Sequence, residues 1–357
     1  MSAFPVVNGV TVFLPPPEGY VVDFEHPQFQ SKYEHYLVFA ILGPLALLCL
    51  VQRLYTKIEF SDGLEVDDGL MILAWICSIA MQALQTWSIA IGGLCHHGWE
   101  MSIDVWEKQA LVSYIVAGVF IVANGSTKAS LFFAYLKISP ERWYKRCIKA
   151  GIGMVATYTL TILALLMFGT QPIRLNWDPY LTGGTRLNGA ILYMAIASSN
   201  IVSDVILFLI PIPMVLRLQM RPVVKFGALI MFGIGSITVT TSVVRMVYLQ
   251  PMLKSSDTPW VAAPANVWSF VEVNLFIICG SLPTLRRFFR AIAPKLMGSS
   301  ADDSRVKPAP HSHNSSRGMR SHYSQFDVEL ESVSSQKVIL NDCEANVSRP
   351  ATIEVKG

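Results

Sequence analysis

Seven long apolar stretches constrain this chain more than any other feature. They run over about Tyr36–Gln52, Gly69–Ile91, Ala110–Tyr135, Ile148–Thr170, Gly189–Leu216, Phe226–Tyr248 and Val261–Thr284. About 20 mostly apolar residues suffice to carry a helix through bilayer hydrocarbon. Any one stretch alone fits a buried helix of a large soluble protein. Seven in succession, separated by short polar connections, do not. Composition agrees: 52% of the 357 residues are hydrophobic and 15% are charged, against roughly 25% charged in an average soluble domain. The expected fold is all-α, a seven-transmembrane helix bundle. The third and fifth stretches are long enough to tilt or to project beyond the hydrocarbon. The first contains Pro44, which neighbouring helices can accommodate.

Basic residues near the helix ends set the orientation. One set of connections carries fourteen: Arg53, Lys57, Lys137, Arg142, Lys145, Arg146, Lys149, Arg217, Arg221, Lys225, Arg286, Arg287, Arg290 and Lys295. The other carries five: Lys32, Lys108, Arg174, Arg186 and Lys254. The richer side is expected in the cytoplasm, with the N-terminus outside and the C-terminus inside. The expected division is an extracellular segment (1–33), a membrane domain (34–296) and a cytoplasmic tail (297–357). The tail is rich in Ser, His, Asn and charge and is expected to be disordered. Residues 1–33 lack the pattern of a cleavable signal peptide, so the first span is expected to direct insertion. The basic, apolar run Leu285–Lys295 reads either as a surface helix on the inner leaflet or as a plain stop-transfer cluster. Of six cysteines, only Cys95 falls near the outer surface, so no outer disulfide is expected. The sequons at Asn124, Asn314 and Asn346 fall in a span or on the inner side and should stay unmodified. A net charge of +3 with no basic stripe argues against a nucleic-acid partner.

Ionisable groups inside spans are costly and usually face the bundle interior. Lys128, Asp204, Arg245 and Glu272 stand out. Lys128 and Asp204 differ in depth by only about 5 Å at 1.5 Å per residue, so they can pair. Arg245 can reach down toward Glu272 or up toward the outer headgroups. Asn200, four residues before Asp204, shares its helix face; Ser203 adjoins them, and Gln82 and Gln85 form a similar strip on the second span. Two readings stand: a polar ligand cavity between helices, or interhelical bonds that only fix packing. Asp67 and Asp68 begin the second span, where they can cap free N–H groups or pair with Lys137. His26, His35, His96 and His97 lie toward the outer side without a fixed ligand spacing, and no metal site is expected.

These residues carry a resemblance to the fungal rhodopsin-like-domain integral membrane proteins, the Pth-type receptor-like and satratoxin-cluster type. It spans roughly residues 36–295. It rests on Arg53 with Asp67-Asp68, Gly93 and His96, Lys128–Tyr135, Pro172 and the outer-loop Trp177, Asn200 and Asp204 before Pro211-Ile-Pro213, Arg245, Glu272, and Leu282-Pro283. Similar proteins tend to place two cysteines in the second outer loop. Here Thr170 and Thr185 stand at those positions, which implies a looser loop. The cysteine-rich extracellular domain of some relatives is missing from residues 1–48. The name does not imply retinal: residues 255–294 contain no lysine to form a Schiff base, and no cofactor is expected. Animal-receptor signatures at the ends of the third and seventh spans are missing too.

The resemblance implies a receptor-like protein that senses a small extracellular molecule, with membrane lipid around it and a cytoplasmic signalling protein as partner. Serines at Glu331–Ser335 would tune that contact through phosphorylation. The plasma membrane is favoured over an internal one. The alternative is a membrane-embedded enzyme or accessory protein of secondary metabolism, with Glu272 or Asp204 as a buried acid. A transporter is the weakest reading, since no internal repeat is visible.

Overall fold

The computed structural model describes residues 4–60, 63–137, 141–185, 187–212 and 222–292. For residues 222–232, 234, 286, 287 and 289–292 only the backbone is described. The expected tail, with its sequons and Cys343, lies outside these residues, as do Arg186, Arg217, Arg221 and Lys295.

Apolar side chains every three to four residues build seven α-helices among the described residues: α1 Lys32–Phe60, α2 Val66–Ala90, α3 Ile103–Leu136, α4 Arg142–Phe168, α5 Gly189–Leu209, α6 Pro222–Leu249 and α7 Thr258–Ile292. Six of them are long and apolar enough to cross a membrane by length and composition: α1 to α5, and α7 over Thr258–Leu285. A two-stranded ladder, Val6–Val7 with Val10–Thr11, precedes α1, and isolated bridges join Val12 to Ser102 and Gln171 to Thr185. Local signals set several ends. Asn188 caps α5, its Oδ1 accepting from the Ala190 N–H at 3.0 Å. The same helix runs to Leu209; Ile210 is a turn, Pro211 and Ile212 are again helical, and the expected end at Leu216 lies outside the described residues.

Neighbouring helices close a ring in the order α1–α2–α3–α4–α5–α6–α7–α1, with α3 also packed against α7 across the interior. The polarity is inverted relative to a soluble protein. Leu37, Ile41, Leu45, Leu48 and Tyr55 form an exposed apolar stripe on α1, a face that suits acyl chains. Charged and amide groups lie inside: Arg53, Lys128, Asp204, Arg245 and Glu272 are all buried. The 34-residue α3 is apolar on every side and contributes the largest share of the core.

Two expectations change. The run after Thr284 is no separate surface helix: α7 continues without a break to Ile292, since nothing between Pro283 and Ile292 interrupts helical bonding. The connection between α4 and α5 is not loose among its described residues. Gln171 and Thr185 exchange two backbone hydrogen bonds of 2.9 Å. Gly184 permits this: its φ is +101°, and a Cβ there would lie 2.3 Å from the Gln171 carbonyl oxygen.

The segment before α1 packs onto the end of the bundle where α1 begins. The Phe13 ring stacks on Trp106 at 3.7 Å, the Tyr20 hydroxyl donates to Glu100, and the Gln28 N–H donates to Glu100 Oε2 at 2.9 Å. That docking left no mark in the composition of residues 1–33.

Candidate functional site

Helices α3, α5, α6 and α7 bring the buried polar residues together in the middle of the bundle. Lys128 Nζ lies 2.7 Å from Asp204 Oδ1, and it donates to Asn200 Oδ1 at 2.5 Å and Ser203 Oγ at 2.6 Å. Asp204 Oδ2 accepts from Ser242 Oγ at 2.5 Å. Arg245 turns inward: its Nε donates to Glu272 Oε2 at 3.1 Å, and its guanidinium lies 4.9 Å from the Phe120 ring centre. Glu272 Oε1 accepts from Asn124 Nδ2 and Asn200 Nδ2, both at 2.5 Å. Asn200 therefore joins the two ion pairs into one network, which spacing alone did not reveal. The four charges balance, as buried charges must if desolvation is not to dominate.

Sequence reasoning missed two members. In the sequence Asn124 reads only as part of a sequon. Ser242 passed unnoticed, though it sits three residues before Arg245 and so shares its helix face. On α2, Gln82 Nε2 donates to Ser78 Oγ at 2.9 Å, which donates to Asn274 Oδ1 at 3.2 Å. Trp177 stands apart from the network, half-buried at the end of a short 3₁₀ turn, with its ring 5.5 Å from Tyr114.

Between the network and the end of the bundle where α3, α5 and α7 begin lies a cavity of about 570 Å³. Its walls come from α2 to α7 and include Val116, Phe120, Leu192, Ile196 and Phe270. Arg245 and Gln85 also border it. Such a volume falls in the range of small-molecule sites, roughly 300–1,000 Å³.

A second polar cluster closes the opposite end. Arg53 on α1 donates to Asp68 Oδ1 at 2.8 Å, to Asp67, and to the Gly280 carbonyl of α7. Lys57 lies 2.7 Å from both Asp67 and Asp68, and Lys137, just past α3, lies 2.7 Å from Asp67. Pairing thus outweighs capping for these aspartates, although Asp68 Oδ2 also accepts from the Glu65 N–H at 3.1 Å. Glu65, Asp67 and Asp68 are close enough to hold a cation, but Arg53, Lys57 and Lys137 already match their three charges.

His35, His96 and His97 are engaged one by one. His35 Nδ1 lies 2.7 Å from the Ser31 carbonyl oxygen and His96 Nδ1 2.8 Å from that of Gln28. His97 stacks between Trp99 and Trp260 and meets Asp257 Oδ2 at 2.6 Å. Burial holds the His96 imidazole below its ordinary range and pushes the Cys95 thiol up to about 12. Cys95 is buried and free, as are the other four described cysteines in being unbonded.

Apolar helices around an ion-paired interior define a multi-pass membrane protein. The chain belongs to the fungal rhodopsin domain family, whose domain matches residues 52–291. It is 21% identical to Receptor GIN3 of Arthrobotrys oligospora over 300 residues, covering 84% of this chain and 72% of that protein. It is 23% identical to the polyenoic acids biosynthesis gene cluster protein Ba17b of Metarhizium anisopliae, over 78% of this chain and 80% of the relative. A SAT4 family membrane protein of Emericella nidulans is 30% identical over 52% of this chain and 46% of its own length.

Proposed function

We propose that this protein is a receptor-like, seven-span membrane protein that binds a small extracellular molecule in the outer cavity and works without retinal. One observation carries the reading: the cavity rests on Arg245, and Arg245 is bonded through Glu272 and Asn200 to the Lys128–Asp204 pair deeper in the bundle. A molecule that moves Arg245 therefore changes contacts of α3, α5, α6 and α7 together. The ligand-pocket candidates Lys128, Asn200, Asp204, Arg245 and Glu272 divide accordingly, with Arg245 facing the ligand and the others relaying its position.

In this reading α6 is the seventh span, residues 1–33 are extracellular, 34–296 form the membrane domain and 297–357 are a disordered cytoplasmic tail. The protein sits in the plasma membrane, its inner end meets a signalling protein, and it takes no cofactor and no nucleic acid. Similarity to a protein named as a receptor supports this. The exposed Cys147 near the inner end of α4 makes orientation testable. A membrane-impermeant maleimide should label it only after permeabilisation, and labelling of intact cells would reverse the topology.

Function is tested by the same thiol carrying a fluorophore. Candidate molecules added outside should change its emission, and Ala117→Trp, which fills the cavity, should abolish the change at equal surface expression. An unaltered response in the filled variant refutes the pocket. The second reading, an enzyme or accessory protein of secondary metabolism, draws on the relatives named for biosynthetic clusters. The geometry favours it less. Every hydrogen-bonding neighbour of Glu272 described above is a donor, so the carboxyl serves as an acceptor there.

A further inference from the structure

The polar atoms left without a protein partner say what the cavity holds, and the inference rests on the proposal that this cavity is the ligand site. Arg245 is 3% exposed, and its Nη2 donates to no described group. Gln85 is 1% exposed, and its Oε1 accepts from none. Both side chains border the cavity. An unmet buried polar atom is costly, so a ligand that meets both atoms gains selectivity as well as affinity.

Charge decides the chemical class. Lys128 and Arg245 are already balanced by Asp204 and Glu272. A carboxylate delivered to Nη2 would add an uncompensated anion beside Glu272 in a desolvated site, which is costly. A cation would meet Arg245 head-on. An uncharged carbonyl oxygen satisfies Nη2 without disturbing the balance. The Phe120 face holds the guanidinium plane, and Val116, Leu192, Ile196 and Phe270 call for an apolar body.

We propose that the cavity takes an uncharged, largely apolar molecule bearing a ketone, ester, lactone or amide carbonyl that accepts from Arg245 Nη2, and that a natural ligand adds a hydroxyl or N–H that donates to Gln85 Oε1. The probes are δ-dodecalactone with an isotope-labelled carbonyl, its ring-opened hydroxy acid at alkaline pH, and dodecane. Each is titrated against the full chain in phosphatidylcholine nanodiscs. The lactone should bind at least about tenfold more tightly than either comparator, a difference of about 1.4 kcal/mol. Its carbonyl stretch should move to lower frequency on binding. Arg245→Met combined with Glu272→Gln removes both charges at once and should abolish that shift. Gln85→Leu, with the ion pairs intact, should leave the affinity for the lactone nearly unchanged, because the lactone has no N–H or O–H to donate to Gln85 Oε1.

Preference for the hydroxy acid, sensitive to Ala117→Trp, overturns the uncharged class and leaves the pocket reading standing. A bound lactone with an unshifted carbonyl, or a shift that survives the paired substitution, overturns the role of Arg245. If no probe shows binding that Ala117→Trp removes, both the class and the pocket reading fall.

Discussion

Replacing Asp204 by Asn tests whether the interior is held by charge pairing. Lys128 is 0% exposed and Asp204 2%, so the substitution leaves an ammonium in the bundle without its counter-ion. Removing one member of a buried pair typically costs about 3–5 kcal/mol. Two features place this case near the lower end, about 3 kcal/mol. Asn200 and Ser203 still accept from Lys128 at 2.5 and 2.6 Å, and a chain unfolded within lipid also finds polar partners. Lys128→Met should cost a similar amount, because Asp204 keeps only Ser242 and Asn200 as donors. The double variant Lys128→Met/Asp204→Leu removes both charges and should recover to within about 1 kcal/mol of the parent. SDS titration in mixed micelles, followed by tryptophan emission, measures all three against the wild type. The sum of the single losses should exceed the double loss by several kcal/mol. Additivity within about 0.5 kcal/mol would show that the two groups do not interact, and the balanced-network argument would fail with it.

Other outcomes follow from the same geometry. Arg53→Lys should lose most of the inner cluster, since an ammonium cannot reproduce a fork that reaches Asp67, Asp68 and the Gly280 carbonyl together. A loss of about 2–4 kcal/mol in the same titration checks it. Gly184→Ala should open the second outer loop, because the new Cβ falls on the Gln171 carbonyl; faster hydrogen exchange at the Gln171 and Thr185 amides is the readout. The cap formed by residues 4–31 should weaken in acid. His96 is held below its ordinary imidazole range, so the unfolded segment binds the proton more readily. The stabilisation is complete above about pH 6.5 and declines as pH falls toward the folded-state value. Protease cleavage within residues 20–31 should rise over that window, and His96→Gln should flatten the dependence.

The sequence by itself determined the class of fold. Apolar runs of about 20 residues leave a chain few options, because lipid offers nothing to bond an exposed backbone and each run must satisfy its own amides as a helix. The same principle marked Lys128, Asp204, Arg245 and Glu272, since an ionisable group inside a span stands out against its neighbours. The partners of Arg53 did not stand out. At a helix end Arg53 reads as one more basic flank, and only the approach of α1, α2 and α7 turns it into the hub of the inner cluster. Asn124 and Ser242 were equally silent, because an amide or a hydroxyl is common in a helix and acquires meaning only from what faces it. The docking of residues 4–31 over one end of the bundle and the Gln171–Thr185 pairing also belong to the tertiary structure. Periodicity along a chain reports which solvent each face meets. Contacts between faces depend on rotation and depth of whole helices, and those are settled only when all seven pack at once.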